Sequence, residues 1–139
     1  MKNMIRMMVC AALLCAANVR AEEPTYPIDE KSIACMDQNS STQGMLACLQ
    51  QAYAEWDREL NNVYADVRLR LNPQAQAALK EAQKRWIAYR DAEFLAIDLI
   101  YGGMQGTMWR VAGFGQKVEF VKRRTVELLT YANDLAQTN

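Results

Sequence analysis

The sequence predicts an all-α fold: a long antiparallel three-helix hairpin bundle with an irregular N-terminal arm clipped to it by a disulfide. Three observations predict it. Apolar residues recur every three or four positions along three stretches, each many turns long. Asn72-Pro73 and Gly102-Gly103 separate those stretches with residues that stop and restart helices. No segment shows the period-two alternation of a strand. With 139 residues, 51% of them hydrophobic, the chain is long enough for a single domain.

The N-terminus reads as a targeting segment. Lys2 and Arg6 make a short basic start, Met7 to Ala17 an apolar run of 11 residues, and Val19-Arg20-Ala21 a cleavage site. A signal peptide over residues 1–21 is expected, and with it a periplasmic or secreted protein. An apolar run that short is no membrane span, which needs about 20 residues, so the mature form is expected to have no transmembrane segment. Removing Lys2, Arg6 and Arg20 from the 16 basic residues leaves 13 against 16 acidic ones, a mature net charge of −3. Such a chain lacks the basic footprint of nucleic-acid binders. The basic residues at Lys117, Lys122, Arg123 and Arg124 read as a solvated helix face, and no nucleic-acid partner is expected.

Residues 22–40 carry Pro24 and Pro27 and scattered charges without helical period, so they are expected to form an irregular arm. Cys10 and Cys15 fall in the discarded segment. The remaining pair, Cys35 and Cys48, is expected to form a structural disulfide in an oxidising compartment. Closing that loop of about 14 residues contributes roughly 3 kcal/mol in the chain-entropy account.

The helical domain is expected over 41–137. Ser40-Ser41-Thr42-Gln43 offers hydroxyl caps, with Ser40 and Gln43 at capping-box spacing. From there Met45, Leu49, Tyr53, Trp56, Leu60, Tyr64, Val67 and Leu71 keep one apolar stripe on one face. After Asn72-Pro73 the chain must fold back, and a second helix runs to Tyr101 with Leu79, Ala82, Trp86, Tyr89, Phe94, Ile97 and Ile100 on or near one face. Gly102-Gly103 is expected to close it in the left-handed conformation. The third stripe is Val111, Phe114, Val118, Val121, Thr125, Leu128, Ala132 and Leu135. Gly113 and Gly115 lie inside it; each costs about 1 kcal/mol relative to alanine, so they either weaken the helix locally or allow close packing.

Candidate chemistry is thin. The sequence contains no histidine, which removes the commonest general base and the commonest zinc ligand. Carboxylates two residues apart on a helix, such as Asp57 and Glu59, point to different sides and make no glycosidase pair. Gly113-x-Gly115 lacks the rest of any phosphate-binding motif. No catalytic residue, metal ligand or cofactor is assigned, and the chain is expected not to be an enzyme. Arg90, one turn beyond Trp86, is expected to be partly buried and to find acceptors in Asp57 or Asn61 of the first long helix, forming a structural polar network. Tyr101, Met104, Met108, Trp109 and Arg110 surround the glycine-rich turn between the second and third long helices. They are the candidate partner-binding residues, because aromatics and arginine at an exposed tip suit protein recognition.

The segment LKEAQKRWIAYRDAE, from Leu79 to Glu93, resembles the signature of the LprI-type lysozyme inhibitor N-terminal domain family. The same resemblance takes in Cys35 and Cys48, then Asp57, Leu60, Asn61 and Tyr64, then Gly102-Gly103, and finally Arg124, Glu127 and Leu128, together covering roughly Ala34 to Leu129. It departs where members carry a second cysteine pair: Phe94 stands at one of those positions, and no cysteine occurs in the third long helix. The resemblance implies an exported, all-helical, noncatalytic domain whose partner is a protein, a lysozyme-type cell-wall lytic enzyme. An acidic inhibitor gains from electrostatic steering toward a basic enzyme. The competing reading is a structural or stress-related envelope component without an enzymatic target.

Overall fold

The computed structural model describes residues 25–137. The expected signal peptide and the first three residues of the arm lie outside them. Within the described residues the chain forms four helices: α1 (Pro27–Gln38), α2 (Thr42–Arg70), α3 (Pro73–Gly102) and α4 (Met108–Gln137). The three long helices follow the three apolar stripes.

The arm is a correction to the sequence reading. Residues 22–40 were expected to be irregular, yet Pro27 to Gln38 is α-helical. Pro27 occupies the first turn, where a missing N–H costs nothing, and Asp29 and Glu30 sit in that turn, where carboxylates favour the positive end of the helix dipole. Proline there starts a helix. The start of α2 also shifts by one residue: Ser41, not Ser40, is the cap, and its Oγ accepts from the Gly44 N–H at 3.0 Å. Asn72 caps α3 as expected, accepting from the Ala75 N–H at 2.9 Å with Pro73 in the first turn. At the other end of α3, Gly103 stays right-handed with φ −78°, and the left-handed residue is Gly106 with φ +106° in the turn to α4.

Helices α2 and α4 run parallel and make the principal contact of the fold. Their register shows at three heights. The Thr42 hydroxyl donates to the Thr107 hydroxyl at 3.0 Å, the Thr125 hydroxyl lies 3.5 Å from the Trp56 carbonyl, and Arg70 donates to the Ala132 carbonyl at 3.4 Å. The core between them includes Trp56, Leu60, Val67, Val118, Val121 and Leu128, with Val121, Leu128 and Thr125 fully buried. Helix α3 returns antiparallel, but it leans on α4 and barely touches α2. Asp98 pairs with Lys117 at 2.6 Å near its end, and Gln83 meets Arg124 at 3.0 Å near its start.

That arrangement explains which expected core residues stay outside. Because α4 is packed on two sides, it buries Phe120 and Arg124 in addition to its predicted stripe. Phe120 stacks on Trp86 and meets Tyr89 and Phe94 edge-on. Because α3 is packed mainly on one side, its buried face is narrow: Leu79, Gln83 and Ile97 are inside, whereas Ala82, Tyr89 and Ile100 are exposed.

The two interior glycines separate cleanly. A Cβ on Gly113 would lie 2.8 Å from Tyr101 Cβ and 2.9 Å from its Cγ, so the missing side chain lets α4 approach α3. A Cβ on Gly115 meets nothing within 4 Å. Gly113→Ala is therefore expected to destabilise by about 1 kcal/mol, overpacking outweighing the gain in helix propensity. Gly115→Ala is expected to stabilise by up to about 1 kcal/mol. Urea unfolding followed by circular dichroism distinguishes the two.

Candidate functional site

Two regions hold the polar and aromatic residues that a site could use: the clasp where α1 meets the core, and the tip where α3 turns into α4. The clasp is built on Trp56, which is 1% exposed. Its indole N–H donates to Asp29 Oδ1 at 3.0 Å, and Lys122 of α4 pairs with Asp29 Oδ2 at 2.8 Å. Tyr26 completes the cluster, edge-on to Trp56 and beneath the Lys122 ammonium. Further along, Lys31 pairs with Glu55, and Cys35 is disulfide-bonded to Cys48. The expected bridge is present, and what it joins is a helix to a helix. Asp29 was missed by sequence reasoning because the arm was read as irregular. The sequence signal there, Pro27 followed by Asp29 and Glu30, fits a helix start and a loop alike.

The expected Arg90 network divides in two. Arg90 is partly buried, as expected, but its Nε and Nη2 donate to the adjacent Asp91 at 2.9 and 2.8 Å, and its guanidinium lies over Trp86. Asn61 donates to the Asp57 carbonyl one turn earlier in α2, at 2.7 Å. The hydrogen bonds stay within each helix because α3 leans toward α4, away from α2. Between the two groups stands Tyr53, packed against Phe94 and Phe114. Burial pushes the Tyr53 hydroxyl above its ordinary value of 10.0; Arg90 opposes the shift, while Asp57 and Asp91 add to it.

The basic cluster of α4 is also corrected. It is not a solvated face: the Lys117, Lys122 and Arg124 side chains are only 15%, 19% and 10% exposed. Each is committed to partners within the bundle, Lys117 to Asp98, Lys122 to Asp29, and Arg124 to Gln83 and Glu127. Arg123 alone of the four stays exposed, its guanidinium over Phe120.

At the tip, Met104, Met108, Trp109 and Arg110 are exposed, while Tyr101 is half-buried against Gly113. The Trp109 and Tyr101 rings lie 6.3 Å apart. Tyr101 and Arg110 also face a groove of about 330 Å³ whose far wall is Leu46 and Gln50 of α2. The structure thus brings all five tip residues to one end of the bundle, anchored to the start of α2 through Thr107. Among the described residues no group of three or more acidic or cysteine side chains could hold a metal ion, and no helix is long and apolar enough to cross a membrane. What this end offers is apolar and aromatic contact area with a cation beside it, the composition of a protein-recognition surface.

Comparison with known proteins agrees with this architecture. A family model described as lysozyme inhibitor LprI matches residues 35–128. The chain is 30% identical over 129 residues to an uncharacterized protein of Rhizobium meliloti, covering 84% of this chain and 86% of that one. It is similar to the crystal structure of an uncharacterized protein from Burkholderia thailandensis, with a TM-score of 0.75 and 28% identity over 81% of this chain. The chain spans 56% of that solved chain, a little over half its length.

The clasp generates two predictions. Asp29→Ala leaves the Trp56 N–H without its acceptor and Lys122 with only Glu119, 3.7 Å away, in a semi-buried site, and is expected to cost about 2–3 kcal/mol in urea unfolding. The second concerns alkaline pH. Burial alone would lower the Lys122 pKa, but the hydrogen bond to Asp29 and the charges of Glu119 and Asp29 outweigh it, so the net shift is upward from 10.5. A group whose pKa rises on folding contributes stability that is complete below its unfolded value and is lost as pH climbs through its folded one. Tyr53 and Lys122 act in the same direction, so stability is expected to hold to about pH 10 and fall above it. Tyr53→Phe should lessen that loss in melts recorded between neutral pH and pH 11, whereas an unchanged slope would exclude Tyr53 as its source.

Proposed function

Because the chain belongs to the lysozyme inhibitor LprI family, we propose that it is a small exported helical protein that binds and inhibits a lysozyme-type cell-wall lytic enzyme. The observation that carries this reading is the extent of the family match, which runs from Cys35 in α1 to Leu128 in α4 and so takes in the disulfide, Trp56 and Lys122, the Trp86 and Arg90 segment and the tip. The Lys2 to Ala21 pattern supports export. Such a protein acts by occupying a surface of its target, without a reacting group of its own. The mature charge of −3 favours encounter with a basic enzyme, an effect on association rate that salt screens.

Tyr101, Met104, Met108, Trp109 and Arg110 are proposed contact residues. Trp109 is the natural anchor among them: it is large, 44% exposed, and supported from behind by Tyr101. Aromatic anchors of this kind dominate interface energetics.

The test follows lysis of cell walls by a basic lysozyme while the mature protein is titrated in. Inhibition should approach completion near equimolar protein, and undiminished lysis at large molar excess rejects the reading. Trp109→Ala is expected to raise the concentration for half-inhibition about tenfold while leaving the melting temperature within a few degrees of the parent. Lysis produced by the protein alone would instead identify it as an enzyme.

A further inference from the structure

Resting on the inhibitor reading, we infer that the outer face of α3 is a docking surface for a basic protein and continues the tip into one elongated interface. Helix α3 is turned so that Leu79, Gln83 and Ile97 face inward. About half a turn of the helix away, Ala88, Ala92, Leu95, Leu99 and Gly102 follow one another at steps of four, three, four and three, the spacing of a seam that seats another surface. All five are exposed, and nothing in the bundle covers them.

The clustering is specific to this region. Among the described residues, eleven large apolar side chains are strongly exposed, and eight of them lie between Ile87 and Trp109. Leu95 and Leu99 are 61% and 70% exposed. The stripe through Ala92, Leu95 and Leu99 is the contiguous part of this exposure, and contiguous apolar surface marks interaction sites on folded proteins, whereas isolated residues such as Leu69 do not. The stripe ends at Gly102, beside Met104, Met108 and Trp109, so it and the tip form one strip.

Charge selects the occupant. Between Ala88 and Gly103 the sequence carries Asp91, Glu93 and Asp98 against the single cation Arg90. The cations that pair with the two aspartates lie beneath them: the Arg90 and Lys117 side chains are 23% and 15% exposed, whereas Asp91 and Asp98 are 62% and 63% exposed. Along α3 the rim that an incoming surface meets is therefore carboxylate, with Arg110 as the exposed cation at the tip end. A second copy fits poorly. Asp91 and Asp98 are seven residues apart on one flank, so an antiparallel pair sets like charges against each other, and a parallel pair supplies no cation to either. An apolar patch bordered by Lys or Arg fits on both counts.

The experiment measures affinity for a basic lysozyme by titration calorimetry, at low and at physiological salt, with the lysis assay run beside it. Leu95→Lys with Leu99→Lys is the test variant, and Leu69→Lys, at an 85% exposed leucine of α2, is the control. Both replace exposed side chains, and matching circular dichroism and melting curves establish that the fold is retained. The double variant is expected to lose at least about tenfold in affinity, the control to keep the parent value, and parent affinity to fall as salt rises. Full affinity in the double variant overturns the surface while leaving the inhibitor reading intact. Binding that the double variant loses, with no inhibition of lysis by the parent, upholds the surface and overturns the inhibitor reading. Absence of binding by the parent overturns both. Parent dimers in light scattering that the double variant abolishes overturn the assignment in favour of a second copy.

Discussion

The structure depends on the burial of one indole. Among the described residues Trp56 is the largest side chain to be fully enclosed, and it sits in the core between α2 and α4. Its ring belongs in the core, but its N–H requires an acceptor once water is removed. Asp29 of α1 is that acceptor, and its other oxygen draws in Lys122 from α4. A single buried donor thus ties three helices together. The disulfide secures the opposite end of α1, so the N-terminal segment is pinned by a polar clasp and by a covalent bond.

From the tight α2 and α4 pair follows the exposure of α3. Helix α4 has two faces to cover and supplies aromatic and guanidinium groups to the second one, where Phe120 and Arg124 meet Trp86 and Gln83. Helix α3 rests there along a narrow stripe, and Phe94 brings it against Tyr53 of α2. Its far side therefore carries leucine and alanine into solvent. In the proposed reading recognition falls on this uncovered surface, and a rigid bundle behind such a surface limits the entropy lost on binding.

The absence of a second cysteine pair has a visible counterpart. Phe94 stands where the family resemblance implies a cysteine, and its ring meets Tyr53, Phe120 and the Lys117 ammonium, so aromatic packing links α2, α3 and α4 at that height. Dispersion and ring-edge contacts act there between the same helices that a bridge would join.

Much of this was legible locally. Long helices declare themselves through apolar repeats, and Asn72-Pro73 marks its boundary by backbone chemistry that needs no distant partner. The disulfide followed from cysteine count and export, and the exposed tip from a glycine-rich turn set with aromatics. By contrast, α1 was misread because its proline and acidic first turn carry opposite meanings at a helix start and in a loop, and only packing against Trp56 selects the helix. Arg90 and the basic residues of α4 were misassigned for a related reason. Periodicity tells which residues share a face, but the rotation of α3 toward α4, and with it which guanidinium or ammonium is buried against which carboxylate, is fixed by interhelical packing among residues far apart in the chain. The sequence by itself determined the three long helices and their order; tertiary structure decided α1 and the neighbours of each helix, because burial is a property of the assembled bundle and not of any one segment.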